Sequence, residues 1–193
     1  MVNAAIRNLS MTKINIGCGR RNFGDDWIHI DGGGYDHLDY DNIVDLNQFT
    51  DNSVELLYAS HIIEYFDRQE VVPLLTEWKR VLKPHGVLRL AVPNFPILAN
   101  LYLQEKIKLE QILGPLYGKM VMNTEIIYHK TAYDFYSLKK LLESLDFCNI
   151  HEYDWRETEH SQFDDHSQAY IPHMDKENGV LVSLNIECLK NEL

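Results

Sequence analysis

Two stretches of this chain carry residue types that could do chemistry. The first is Gly17-Cys18-Gly19 at the end of the apolar run Ile14-Asn15-Ile16, followed by Asp31 at the end of a second apolar run, Trp27-Ile28-His29-Ile30. Glycine at both ends of such a turn tolerates positive φ and puts no Cβ in a ligand's way, so the turn can present backbone amides. A carboxylate closing the next strand is placed to accept hydrogen bonds from ribose hydroxyls. The same short turn also occurs for purely structural reasons at strand ends. Asn22 stands where the dinucleotide fingerprint wants its third glycine, and no Gly-Lys-Ser or Gly-Lys-Thr follows, which disfavours pyrophosphate and P-loop chemistry. The residue types suit an adenosyl-type cofactor with a ribose and no phosphate chain.

The second stretch is the polar segment 155–178, which holds His160, Asp164, Asp165, His166, Tyr170 and His173. Imidazoles titrate near neutrality, so a group of them can move protons. For any single histidine the competing reading is a solvated acidic surface. A metal site is a third reading, since histidines at 160, 166 and 173 beside Asp164 or Asp165 are suitable ligands, but their spacing matches no zinc pattern and no metal is assigned.

These residues need elements to position them. The apolar runs before Gly17 and Asp31 predict strands, as do Ile43-Val44-Asp45-Leu46, residues 54–60, residues 87–92, residues 147–154 and residues 180–188. Val72, Leu75, Trp78, Val81 and Leu82 recur at helical spacing over residues 69–83, and Pro84-His85-Gly86 ends the pattern. Residues 134–146 predict a second amphipathic helix with Asp134 as N-cap and Leu138, Leu141, Leu142 and Leu145 facing inward. Residues 95–133 stand outside this alternation and read as an insertion of one helix or two, with Leu98, Leu101, Ile107 and Ile112 as its apolar positions. The order is that of an α/β, doubly wound sheet.

With 193 residues, 45% of them hydrophobic, the chain supports one domain over 1–193. A net charge of −11 argues against general nucleic-acid binding, which needs clustered Lys and Arg. Residues 1–10 lack an apolar leader core and no window approaches the roughly 18 apolar residues of a membrane span, so the expectation is a cytoplasmic protein without membrane attachment. Cysteines at 18, 148 and 188 form no Cys-x-x-Cys pair. Self-association into a homo-oligomer stays open.

The ordered marks Asn15-Ile16-Gly17-Cys18-Gly19, Asp31, Asp45-Leu46, Ala59-Ser60-His61-Ile62-Ile63-Glu64, and Trp78 to Gly86 followed by Val92-Pro93-Asn94 together resemble the class I S-adenosylmethionine-dependent methyltransferases, in particular the small bacterial ones. The resemblance covers most of residues 12–150. It implies a Rossmann-like sheet, mostly parallel, whose last strand is antiparallel, with S-adenosylmethionine as cofactor. It also implies cofactor-binding roles for Gly17, Cys18 and Gly19 under the methionine part, Asp31 at the ribose, Asp45 and Leu46 at the adenine, and Ser60 and His61 near the sulfonium. The gap from Gly19 to Asp31 is short for a strand-helix-strand crossover, so the first crossover helix is expected to shrink to a loop.

Methyl transfer is an in-line displacement, so holding acceptor, methyl and sulfur in line can supply most of the acceleration, and a base near neutrality helps if the acceptor is a hydroxyl. His173, His166 and Asp165 are accordingly the candidate catalytic residues, and His129 is expected to face the same pocket. Segments 95–133 and 155–178 both leave carboxyl ends of strands and are expected to form an acceptor-side cap. Ser60-His61-Ile62-Ile63 stands where amino-methylating relatives carry an Asn/Asp-Pro-Pro-Tyr type motif, which tilts against N-methylation of adenine or glutamine. The acidic charge and modest size favour a small-molecule or sugar-like acceptor, so the expectation is O-methylation of such an acceptor. A non-catalytic cofactor-binding or assembly module of the same fold is the alternative.

Overall fold

The structure is a computed structural model that describes residues 11–122 and 124–192. The expectation about a leader in residues 1–10 therefore lies outside the described residues. The strands are β1 (Lys13–Ile16), β2 (Trp27–Ile30), β3 (Val54–Ser60), β4 (Leu82–Pro93), β5 (Met120–Met122), β6 (Glu125–Ile127), β7 (Phe147–Glu152), β8 (Tyr170–Ile171), β9 (Val180–Leu181) and β10 (Ser183–Lys190). The helices are α1 (Val71–Val81), α2 (Phe95–Leu103), α3 (Leu109–Tyr117) and α4 (Phe135–Ser144).

Six strands form the central sheet in the order β2-β1-β3-β4-β10-β7. β1 to β4 pair in parallel, and β10 runs antiparallel between β4 and β7. This is the expected Rossmann-like arrangement with an antiparallel last strand. β5 and β6 make a hairpin at the end of the 95–133 insertion, whose two helices and the loop between them bury Leu98, Leu101, Ile107 and Ile112 in one cluster with Val182.

Alternation along β3 divides the core. Leu57 and Ala59 face one layer, where α1 contributes Leu74, Leu75 and Trp78 and α4 contributes Leu138 and Leu142. Leu56 and Tyr58 face the other, where Phe23 and Trp27 pack with Phe163 against them. No helix lies between β1 and β2, as the short gap predicts. The aromatic layer takes its place: Phe23 stacks on Phe163 at 4.8 Å and on His160 at 5.3 Å, so the C-terminal loop covers the face a crossover helix would cover.

Two expectations are corrected. Residues 43–46 do not form a strand, because side chains capture the backbone groups a ladder would use. Asn42 Oδ1 accepts from the N–H of Val44 (2.9 Å) and of Asp45 (3.0 Å), Leu46 N–H donates to Glu77 Oε1 (3.0 Å), and Leu46 O accepts from Arg80 Nη2 (3.2 Å). Only the single parallel bridge between Ile30 and Tyr40 remains where that strand would pair with β2. In α1 the buried stripe is Val71, Leu74, Leu75, Trp78 and Val81, and Val72 is exposed, one residue out of the expected phase. α4 begins as predicted, with Ser137 N–H donating to Asp134 Oδ1 at 2.7 Å. Among the described residues, no helix is long and apolar enough to cross a membrane.

Candidate functional site

β1 to β4 deliver their carboxyl ends to one edge of the sheet, where a cavity of about 1520 Å³ opens. Gly17 and Gly19 both adopt left-handed backbone, with φ of 66° and 56°. Gly17 N–H donates to Ile30 O at 2.7 Å, and a Cβ on Gly17 would sit 2.0 Å from Ile62 Cδ1. Around Gly19 a Cβ would meet nothing within 4 Å, so this is the open side of the turn. Gly19 N–H donates to Asp31 Oδ2 (2.8 Å) and Gly33 N–H to Asp31 Oδ1 (2.7 Å). Asp31 therefore ties the turn after β1 to the end of β2. Each of its oxygens keeps a second lone pair for another donor.

At the end of β3, Ser60 and His61 line the same cavity. Ser60 Oγ is buried and has no hydrogen-bond partner among the described residues. His61 takes φ of 57°, a strained conformation for a residue with a Cβ, held by its N–H donating to Ala91 O at 2.8 Å. Burial, followed by His166 and His129, pushes its pKa well below the usual imidazole range.

Three expected cofactor contacts stand elsewhere. The Cys18 side chain is buried beneath the turn, 3.7 Å from His37 Nε2, and burial pushes its thiol up to about 12. Leu46 is fully buried in the core, and Asp45 is exposed, accepting from Asn47 N–H at 3.0 Å. Neither lines the cavity, because the turn that replaces the third strand carries them away from its edge. Ile43 is the residue of that segment that lines it.

The 155–178 segment is tied to the sheet by long-range bonds. Arg89 donates to Glu187 and Glu159 (both 2.8 Å), Arg21 Nε donates to Asp164 O (2.7 Å), and Asn185 Nδ2 donates to Ser167 O (2.9 Å). The segment brings His166 and His173 to the cavity, and the His166 ring lies 5.1 Å from that of His61. Enclosure, then the Arg21 charge, lowers the pKa of His166. Asp165 also borders the cavity, but its carboxylate is committed: Oδ2 accepts from Tyr58 Oη (2.6 Å), and Oδ1 accepts from the N–H (2.8 Å) and Oγ (2.6 Å) of Ser167. It is corrected here from a candidate base to a structural anchor. His160 is fully buried in the aromatic layer, 4.2 Å from the Tyr58 ring, with its pKa lowered to about 4 by burial. That separates it from His166 and His173. Among the described residues no group of three His, Cys, Asp or Glu could hold a metal ion.

His129 lines the cavity as expected, and so do Arg21, Tyr65 and Met122, for which the sequence carried no assignment. Glu64, which closes the mark Ala59-Ser60-His61-Ile62-Ile63-Glu64 without a role assigned to it, lies behind that wall; a further signal is its spacing three residues after His61 at a strand end. The residues fit an adenosyl-type cofactor: two glycines open the backbone, Asp31 offers lone pairs, and Ser60 holds a buried hydroxyl without a partner among the described residues.

The fold is the one seen in solved S-adenosylmethionine-dependent methyltransferases, a mostly parallel Rossmann-like sheet with an antiparallel last strand. Residues 34–90 match the sequence model of the methyltransferase domain family. A comparison with curated proteins gives no match. Among solved structures, the chain is similar to a SAM-dependent methyltransferase from Archaeoglobus fulgidus, at 16% identity over 94% of this chain and 87% of that one, with a TM-score of 0.56. It is similar to a SAM-dependent methyltransferase from Methanosarcina mazei at 17% identity, 94% and 93% coverage and a TM-score of 0.54. A third is the 1,6-didemethyltoxoflavin-N1-methyltransferase of Burkholderia thailandensis with bound S-adenosylhomocysteine, at 10% identity, 95% and 72% coverage and a TM-score of 0.54.

Proposed function

We propose that this protein transfers a methyl group from S-adenosylmethionine to a small-molecule or sugar-like acceptor by O-methylation. The observation that carries this reading is one cavity with the Asp31-tied glycine turn on one side and His61, His166 and His173 on the other. Bound there, S-adenosylmethionine supplies a methyl group on a cationic sulfonium. Gly17 and Gly19 would hold its methionine end, Asp31 would accept from its ribose hydroxyls, and Ser60 and His61 would line the side of the methyl group. Segments 95–133 and 155–178 form the acceptor-side cap. One of the two rings, His166 or His173, takes the acceptor's single proton. His166 suits this because its lowered pKa keeps it neutral and able to accept. One structurally similar enzyme is an N-methyltransferase by name, so the choice of oxygen rests on these histidines and on the absence of an Asn/Asp-Pro-Pro-Tyr type motif after β3.

The second reading, a cofactor-binding module without transfer, is favoured by one observation: both Asp31 oxygens and the whole Asp165 carboxylate already serve the chain's own donors. Calorimetric titration with S-adenosylmethionine and S-adenosylhomocysteine tests the first step, and absence of binding by both sinks either reading. With binding established, methyl transfer to a panel of phenols, sugars and hydroxy acids separates the two. His166→Ala and His173→Ala should then lower turnover by about 10²- to 10⁴-fold where either ring is the base, with cofactor affinity unchanged. Full turnover in both variants returns the loop to a surface role.

A further inference from the structure

Behind the cavity wall lies a buried carboxyl that the proposed transfer does not use. Glu64, in the short 3-10 turn Ile63–Tyr65 after β3, is 1% exposed, and neither carboxyl oxygen has a hydrogen-bond partner among the described residues. Two histidines from different parts of the chain flank the same oxygen. His61 Nδ1 lies 3.5 Å and His129 Nε2 lies 3.8 Å from Glu64 Oε1.

The contacts on the far side of each ring fix where its proton sits. Asn185 Nδ2 donates to Ser167 O, which orients the amide and leaves Asn185 Oδ1 to accept from Ser183 Oγ at 2.8 Å. With its single hydrogen directed there, Ser183 can only accept from His61 Nε2, 3.4 Å away. Neutral His61 thus carries its proton on Nε2 and turns the Nδ1 lone pair toward Glu64. At His129, Nδ1 lies 3.1 Å from Pro115 O, which can only accept, so Nδ1 carries the proton and Nε2 turns its lone pair toward Glu64. Two lone pairs converge on one carboxyl oxygen. They repel an ionised carboxylate and suit an O–H.

We propose that Glu64 is held in the fold as a neutral carboxylic acid, its Oε1 facing the unprotonated nitrogens of His61 and His129 on the cavity wall. Burial pushes the Glu64 pKa up to about 8, and burial lowers those of both histidines. The other groups facing this cluster do not neutralise a carboxylate. Tyr65 donates its hydroxyl to Gly118 O at 2.7 Å, and Arg68 acts on Tyr133, whose buried hydroxyl has no partner among the described residues. Lys130 donates its backbone N–H to Glu64 O, but its ammonium pairs with Glu70 at 2.7 Å. His166 and Arg21 act on His61 and lower its pKa further, and His166 does the same to His129. The assignment concerns the protein without ligand, so it stands or falls apart from the proposed methyl transfer.

Long-range ¹H–¹⁵N correlation spectra of the full chain carrying ¹⁵N-histidine, recorded from about pH 6 to about pH 9, test it. His61→Gln and His129→Gln assign the two rings. The expected result is Nε2–H for His61 and Nδ1–H for His129 at neutral pH, with both rings shifting together near pH 8 as Glu64 ionises. Glu64→Gln offers an amide N–H in place of the O–H, so both tautomers should persist and the step near pH 8 should vanish. The opposite tautomer in either ring overturns the proposal. So do a step near pH 8 that survives in Glu64→Gln, and imidazolium signals for either ring at pH 7. Should Glu64→Gln not fold, the wild-type spectra decide: a shared step near pH 8 supports the proposal and its absence overturns it.

Discussion

At the scale of single residues, Asp31 joins the frame of the site to its proposed chemistry. Its carboxylate accepts from Gly19 N–H and Gly33 N–H, so it holds two glycine segments in place while pointing lone pairs at the cavity. Removing it has two effects of the same sign. The two amides lose their acceptor, and ribose hydroxyls lose theirs. Asp31→Ala should therefore weaken S-adenosylmethionine binding by about 1–3 kcal/mol, the usual cost of leaving buried polar groups unpaired. Calorimetry on the variant measures this, and an unchanged affinity would remove Asp31 from the cofactor site. Asp165 shows why composition alone misplaced a base. Asp165 and Asp31 look alike in sequence, yet Asp165 spends both oxygens on Ser167 and on Tyr58, a residue 107 positions away. Such a pairing leaves no local trace.

Among elements, what was legible in the sequence was local. α4 begins at Asp134 because a short side chain caps the amides three residues on, and that signal sits within four residues. β1, β2 and β3 were legible as apolar runs that end at the glycine turn, at Asp31 and at Ser60. The segment 43–46 was not, because Glu77 and Arg80 of α1 reach back across more than thirty residues to hold Leu46. The seating of the insertion is likewise non-local. α3 ends on Gly118 at φ 49°, Tyr65 donates to Gly118 O, and His129 N–H donates to Tyr117 O at 2.8 Å. A Cβ on Gly118 would fall 1.9 Å from His129 Nε2, whereas one on Gly114, in the same helix, would meet nothing within 4 Å. Gly118→Ala should cost about 1–3 kcal/mol through left-handed strain, with the His129 ring displaced in addition. Gly114→Ala should be close to neutral, because the helix propensity gained is offset by the clash of its Cβ with the ring of the following Pro115. Urea denaturation of the two variants compares them. If Gly118→Ala matches the wild type, the joint between α3 and the turn after β3 does not hold the insertion.

For the whole molecule, buried titratable groups of opposite kind set a stability optimum. His61, His129 and His160 are buried with lowered pKa values, so below an unfolded value of about 6.5 the unfolded chain binds protons that the native state refuses. Stability then falls as pH falls. Glu64 acts in the other direction. Its folded pKa of about 8 stands above its ordinary 4.5, so between those values the unfolded chain is ionised and the native one is not. Its contribution is complete below about pH 4.5 and is lost as pH rises toward 8. Between about pH 4.5 and pH 6.5 three histidines outweigh one carboxyl, and stability climbs with pH. Above about 6.5 the histidines are neutral in both states, and Glu64 alone leaves a decline of about 1.4 kcal/mol per pH unit until it ionises. Urea midpoints across this range should therefore peak near pH 6.5 and fall by about 2 kcal/mol toward pH 8. Glu64→Gln, which cannot ionise, should hold a plateau from the peak to pH 8 and climb more steeply than the wild type between about pH 4.5 and pH 6.5, where no carboxyl offsets the histidines. A wild-type profile that is flat above about pH 6.5 would mean that the Glu64 carboxyl ionises at its ordinary pH inside the fold, against two lone pairs and with no cation beside it.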